Sequence, residues 1–243
     1  MSNGKRKELS RRQEFKEKRR KRQRQQQTVT LAIIGAGILV VLGLLIVPSL
    51  IPAGDVNEAV PLTRQLTQDN TMGNPDAPVT IVEYSDFQCP ACLAFHEQTE
   101  SLLVEQYINT GKVHFIYRSM GTWIGAESAA AAEAAYCASD QGKFWDYHDI
   151  LFANQQGENV GGYKEKRLLA FAENLGLNMS DFRACLSSDK YADRVAQDRL
   201  DGEQQGVSAT PTFFVNGELV RGAIDFNQLS SMIEAKLATS SSP

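Results

Sequence analysis

The chain has 243 residues, 42% apolar and 22% charged, with 18 Gly and 8 Pro. That composition excludes a collagen-like, disordered or disulfide-scaffold chain and leaves room for one large domain or two small ones. The net charge of −4 is unevenly spread: residues 1–27 carry 12 Lys/Arg against 3 Glu, and residues 28–243 carry 13 Lys/Arg against 26 Asp/Glu. A basic tail precedes an acidic body.

No charge occurs between Arg24 and Asp55, and Thr28 to Val47 is 20 residues of almost continuously apolar sequence. That length crosses a bilayer core as a helix. A buried core helix would show a polar face, and this stretch has none. A cleaved signal peptide fits less well, because its apolar core runs to only about 7–15 residues. Its best cleavage site, after Ala53, would place bulky Ile51 where a small residue is wanted. No cysteine follows before Cys89, so there is no lipid-attachment site. The expected organisation is a basic tail (1–27), a transmembrane anchor (28–47), a tether (48–72) with a short strand near Val60–Leu62, and a folded domain (73–243). The cluster Arg19-Arg20-Lys21-Arg22 and Arg24 keeps the tail cytoplasmic and everything after the span outside. Contact with anionic lipid headgroups explains these charges better than a nucleic-acid arm.

The body alternates strands and helices. Val79–Tyr84 is β-branched and apolar, bounded by Pro78 and Ser85-Asp86, and reads as a buried strand. A helix runs from Cys92 to about Tyr107, and Val113–Tyr117 is a second strand. Helices then fill about 122–205, with an alanine-rich segment at Ser128–Ala138 and an aromatic one at Phe144–Phe152. Phe144, Trp145, Tyr147 and His148 read as packing residues. Thr212–Val215 and Glu218–Val220 flank Asn216-Gly217, a strong hairpin signal. Phe226, Leu229, Met232, Ile233 and Leu237 mark a final amphipathic helix that Asp225 can cap. The fold class is α/β with a large helical insertion.

Cys89-Pro90-Ala91-Cys92 falls where a strand ends and a helix begins. Pro90 suits a first helical position. Cys89 then meets free N–H groups and the positive end of the helix dipole, which stabilise a thiolate able to attack disulfides. Cys92, one turn inside, is placed to resolve a mixed disulfide. A structural bridge and half a zinc site are the competing readings. Zinc needs two further ligands, for which only His96, His114 and His148 are available.

The stretch Val82-Glu83-Tyr84-Ser85-Asp86-Phe87-Gln88-Cys89-Pro90-Ala91-Cys92, taken with Gly206-Val207-Ser208-Ala209-Thr210-Pro211-Thr212-Phe213-Phe214-Val215-Asn216-Gly217, resembles the DsbA-like branch of the thioredoxin superfamily, closest to its membrane-tethered BdbD group. The resemblance covers about residues 73–240. It implies a thioredoxin fold with a helical insertion, with Cys89 as attacking and Cys92 as buried cysteine. It also implies that Pro211 is a cis-proline facing the disulfide, that Thr210 tunes the redox poise, and that Glu83 is a buried acid in proton transfer. For Glu83 a surface carboxylate is the plain alternative. Strongly oxidising relatives carry His or Tyr at the position of Ala91, which offers neither charge nor donor.

Relatives carry bridges in the helical insertion, which favours a Cys137–Cys185 disulfide over two buried free thiols, and an extracytoplasmic body lets it persist. The implied activity is that of a membrane-anchored thiol–disulfide oxidoreductase that oxidises exported proteins and is recharged by a membrane partner of the DsbB or vitamin K epoxide reductase-like kind. No metal or organic cofactor is expected, since the cysteines carry the electrons. An isomerase or reductase is the nearest alternative, and a redox-inert peptide-binding or chaperone module a more distant one.

Overall fold

The structure, a computed structural model, describes residues 3–50 and 54–240. The candidate cleavage site after Ala53 lies outside the described residues. Two compact units divide at Pro52/Ala53. The first is one helix, α1 (Asn3–Leu50), whose stretch Lys18–Leu44 is long and apolar enough to cross a membrane. Leu31, Ile34, Leu39, Val41 and Leu44 are all exposed on it. A helix apolar on every side matches lipid rather than a half-buried protein surface.

The second unit is built on a five-stranded sheet: β1 (Thr71–Met72), β2 (Val79–Ser85), β3 (Val113–Ser119), β4 (Thr212–Val215) and β5 (Glu218–Arg221). The spatial order is β1-β3-β2-β4-β5. β2 and β3 run parallel, and every other neighbouring pair is antiparallel. A parallel pair needs a long crossover, supplied here by the continuous helix α2 over residues 90–108, which includes two π-helical stretches. β2 is central and its apolar residues Val79 and Ile81 are fully buried. Asn216 and Gly217 join β4 to β5 with φ of +46° and +84°. A two-residue hairpin turn requires positive φ at both positions, which Asn and Gly tolerate. The Asn216 side chain also accepts from Thr80 N–H (2.7 Å), pinning the hairpin to β2.

Between β3 and β4 lie five helices: α3 (Ala126–Ser139), α4 (Phe144–Ala153), α5 (Glu165–Asn174), α6 (Met179–Ser187) and α7 (Ala192–Gln204). Ala131, Ala132, Ala134 and Ala135 are buried, so small side chains let α3 pack closely against its neighbours. Phe144, Trp145, Tyr147 and His148 of α4 are buried too. Cys137 of α3 and Cys185 of α6 are joined by a disulfide, with 5.8 Å between their Cα atoms. The last helix, α8 (Phe226–Ser240), begins where Asp225 Oδ1 accepts from Gln228 N–H at 3.0 Å.

Two expectations change. No strand forms at Val60–Leu62; Val60 is 86% exposed, and the edge strand is the short β1 instead. Residues 54–72 are also not a free tether, because they pack on the body. Asn57 exchanges hydrogen bonds with Asn154, Asn109 holds the Thr63 carbonyl, and Arg64 is buried. The backbone there is satisfied largely by distant side chains rather than by a strand ladder, so local sequence read it as irregular.

Candidate active site

β2 ends at Ser85, and the loop Asp86–Cys89 carries the chain to the start of α2. Cys89 is the N-cap residue, with extended backbone, and Pro90 opens the helix. Cys89 and Cys92 are both thiols, 8% and 0% exposed. The Cys89 thiol donates to the Thr210 carbonyl at 3.3 Å, and the Thr210–Pro211 peptide bond is cis. The loop before β4 thus comes within reach of the pair, across 121 residues of sequence.

The two thiols have opposite environments. Cys89 is lowered from 9.0 to about 6, chiefly by a hydrogen bond from Cys92; burial opposes this, and Thr210 and the N–H groups of Cys92 and Ala91 reinforce it. Cys92 is pushed well above 9.0 by burial, then by Cys89 and by the charge of Glu83. Glu83, on β2, is only 2% exposed, so it is no surface carboxylate. Burial, then the Glu100 carboxylate, raises it from 4.5 to about 8. It carries a proton at neutral pH.

The helical insertion holds the Asp86–Cys89 loop from the other side. Gln155 Nε2 donates to the carbonyls of Phe87 (2.6 Å) and Cys89 (3.2 Å), and Tyr163 Oη to Phe87 (3.0 Å). Asp86 Oδ1 accepts from Gln88 N–H and from Ser128 Oγ (2.6 Å), and Gln88 reaches both Ser128 and Asn159. Burial raises Asp86 to about 6. Residues 86–89 stand in the quoted motif, but nothing local marks Gln155, Tyr163 or Ser128 as the partners of this loop.

A second cluster lies on α2 and α4. Donor atoms of His96, Glu100, His148 and Asp149 fall within 4.8 Å of one another, a set with the composition of a metal site. The place of the cation is taken by Arg64, whose guanidinium binds both oxygens of Asp149 and Oε1 of Glu100, each at 2.7 Å. These side chains therefore form an ion-pair cluster around an arginine rather than a metal centre. His114, the third histidine, is absent from that cluster.

The thioredoxin family model matches residues 65–235. The chain is 31% identical over 172 residues to the probable disulfide bond formation protein D of Bacillus anthracis, covering 69% of this chain and 77% of that one. It is 37% identical over 172 residues to the Na(+)/H(+) antiporter NhaA 1 of Salinispora arenicola, covering 70% of this chain. The match spans only 25% of that antiporter, so ion transport belongs to that longer protein. The crystal structure of oxidised BdbD from Bacillus subtilis superposes with a TM-score of 0.65 at 26% identity, covering 75% of this chain and 100% of that one. With the motif Cys89-Pro90-Ala91-Cys92 at the start of α2 and the cis bond before Pro211, the chain belongs to the thioredoxin family, within its DsbA-like branch.

Proposed function

We propose that this chain is a membrane-anchored oxidase that introduces disulfides into exported proteins through Cys89 and Cys92. The observation that carries the reading is the asymmetry of the pair: a thiol lowered to about 6 at the helix start beside a buried partner raised well above 9.0. In the disulfide form, a substrate thiolate attacks Cys89 Sγ, and the Cys89–Cys92 bond breaks. Cys92 leaves with the electron pair and takes the proton of Glu83, which makes a high-pKa thiolate an acceptable leaving group. A second substrate thiolate attacks the substrate sulfur, and Cys89 leaves as a stable thiolate. Substrate loses two electrons and the pair gains them. The loop carrying Thr210 and Pro211 borders the reacting sulfur and is suited to hold the substrate backbone.

The uncharged span and its basic flank support a cytoplasmic tail and a body on the outer side, where reduced exported proteins are the substrates. Reoxidation falls to a membrane partner of the DsbB or vitamin K epoxide reductase-like kind. Cys137–Cys185 serves as a structural bridge, and residues 54–240 with their helical insertion form the catalytic domain. The test uses full-length oxidised protein and a reduced two-cysteine peptide. Stoichiometric peptide oxidation, with Cys89 found oxidised in the cell, is the expected result; a pair held reduced in the cell would favour a reductase. A reporter fused after the body should be active only outside the cytoplasm.

A further inference from the structure

Two glutamates are buried, Glu83 on β2 and Glu100 on α2, and their surroundings differ in one respect. Glu83 and Glu100 are 2% and 1% exposed. Both oxygens of Glu100 are engaged: Oε1 accepts from Arg64 Nη2 at 2.7 Å, and Oε2 lies 2.7 Å from His96 Nδ1. Among the described residues, Glu83 forms no ion pair. We propose that Arg64 is a positioning residue for thiol exchange, whose guanidinium holds Glu100 as an anion, and that this anion keeps the proton on Glu83 beside the buried Cys92.

Arg64 reaches this place from outside the strand-and-helix framework, on the irregular segment ahead of β1. It spans from Glu100 on α2 to Asp149 on α4 and lies 5.1 Å from the centre of the Trp145 ring. Three cations could hold Glu100 ionised. Burial pushes His148 below 6.5, and the Glu100 carboxylate raises His96 against its own burial, but either imidazole can lose its charge by titration. Arg64 alone is charged at every working pH. Burial raises Glu100, yet His148, Arg64 and His96 together hold it well below the usual carboxylate range. Its negative charge is in turn the largest one acting on Glu83, where only burial contributes more. Two like charges in one buried region cannot both be cheap, so ionising Glu100 protonates Glu83. The other groups acting on Glu83 are His96, Cys89 and Cys92 of α2, Tyr117 of β3 and Ser85 of its own strand. β4 presents Phe213 opposite it, and α8 buries apolar Leu229 and Ile233.

The inference rests on Glu83 exchanging a proton with Cys92, as in the proposed function. The test follows the reverse half-reaction in the full-length protein, in detergent. A glutathione mixed disulfide is made on Cys89; Cys92 then attacks Cys89 Sγ, glutathione leaves as thiolate, and the Cys92 proton passes to the Glu83 carboxylate. The rate should rise with pH through about 8, where Glu83 ionises. Glu100→Gln keeps the shape and removes the charge. It should move this limb down by about one pH unit or more, the scale of one close buried charge. Arg64→Gln combined with Asp149→Asn removes a cation and its other carboxylate together. Net charge is unchanged, and Glu100 keeps its contact with His96. The limb should move the same way, and Arg64→Lys should leave it near 8. A limb at about 8 in the Arg64→Gln/Asp149→Asn protein overturns the inference. Glu83→Gln separates the two readings. If it leaves the limb in place, Glu83 is not the proton acceptor; if it abolishes a limb that the Arg64 variant does not move, only the role of Arg64 fails.

Discussion

Cys89 caps the N-terminal end of α2, whereas Cys137 and Cys185 each lie in the last turn of their helices, α3 and α6. All four are at most 8% exposed, so burial does not distinguish the pairs. The hydrogen bond from Cys92 does, and helix direction adds to it. Free N–H groups and the positive end of the dipole stabilise a thiolate at a helix start, and the carbonyls at a helix end disfavour one. Thiol–disulfide exchange needs a thiolate to attack or to leave. In the proposed function, the pair at the helix start turns over and the pair at the helix ends serves as a bridge.

The sharpest way to break this comparison is to remove one sulfur from each pair. Cys89→Ser should reduce peptide oxidation to the uncatalysed rate, and Cys92→Ser should accumulate mixed disulfides on Cys89, visible as mass adducts. If Cys92 proved to be the thiol that traps substrate, the assignment by helix end would be wrong. Replacing both Cys137 and Cys185 by Ala should leave peptide oxidation intact but lower stability to denaturant. The loop between them spans 48 residues, and the loop-closure model puts the loss at about 4 kcal/mol. A double variant as stable as the parent would remove the structural role.

A pH titration sharpens the comparison further. Reduced protein should develop thiolate absorption in the ultraviolet with a midpoint of about 6, from Cys89 alone. Because the folded value lies below the unfolded one, the stability contributed by this thiolate is fully present above the unfolded thiol range near 8.5. It is lost as pH falls through about 6. Glu83 and Asp86, raised on folding, contribute with the opposite sign over this range, so the measurement is the difference between denaturant melts of the reduced protein and of Cys89→Ser at pH 5 and pH 9. A difference that does not change with pH would mean that folding does not favour the Cys89 thiolate.

The smallest expected effect concerns Ala91. A histidine there would add a donor or charge beside the Cys89 thiolate, stabilise the reduced form, and make Ala91→His a stronger oxidant. The scale is about 30 mV for each 1.4 kcal/mol in this two-electron couple. Glutathione equilibration of both proteins reads it directly. An unchanged or more negative potential would leave Thr210 and the helix start as the dominant tuning.

Where the physical signal is local, the sequence was sufficient. The apolar run in α1 needs no partner to be recognised, because its length and lack of charge are read from the chain alone. Positive φ at Asn216 and Gly217 comes from their own side chains, and Pro90 marks the helix start that Cys89 caps. What tertiary structure alone decided is whatever depends on a distant neighbour. Residues 54–72 read as a tether because their polar partners, Asn154, Asn109 and Asp149, lie about 40 to 100 residues away. The zinc alternative considered His96 and His148 as partners for cysteines, yet the fold gathers them with Glu100 and Asp149 around Arg64. The protonation of Glu83 is of the same kind. Its residue type and its spacing from Cys89 are written in the chain, but the burial and the Glu100 charge that raise it to about 8 exist only once β2 and α2 have packed.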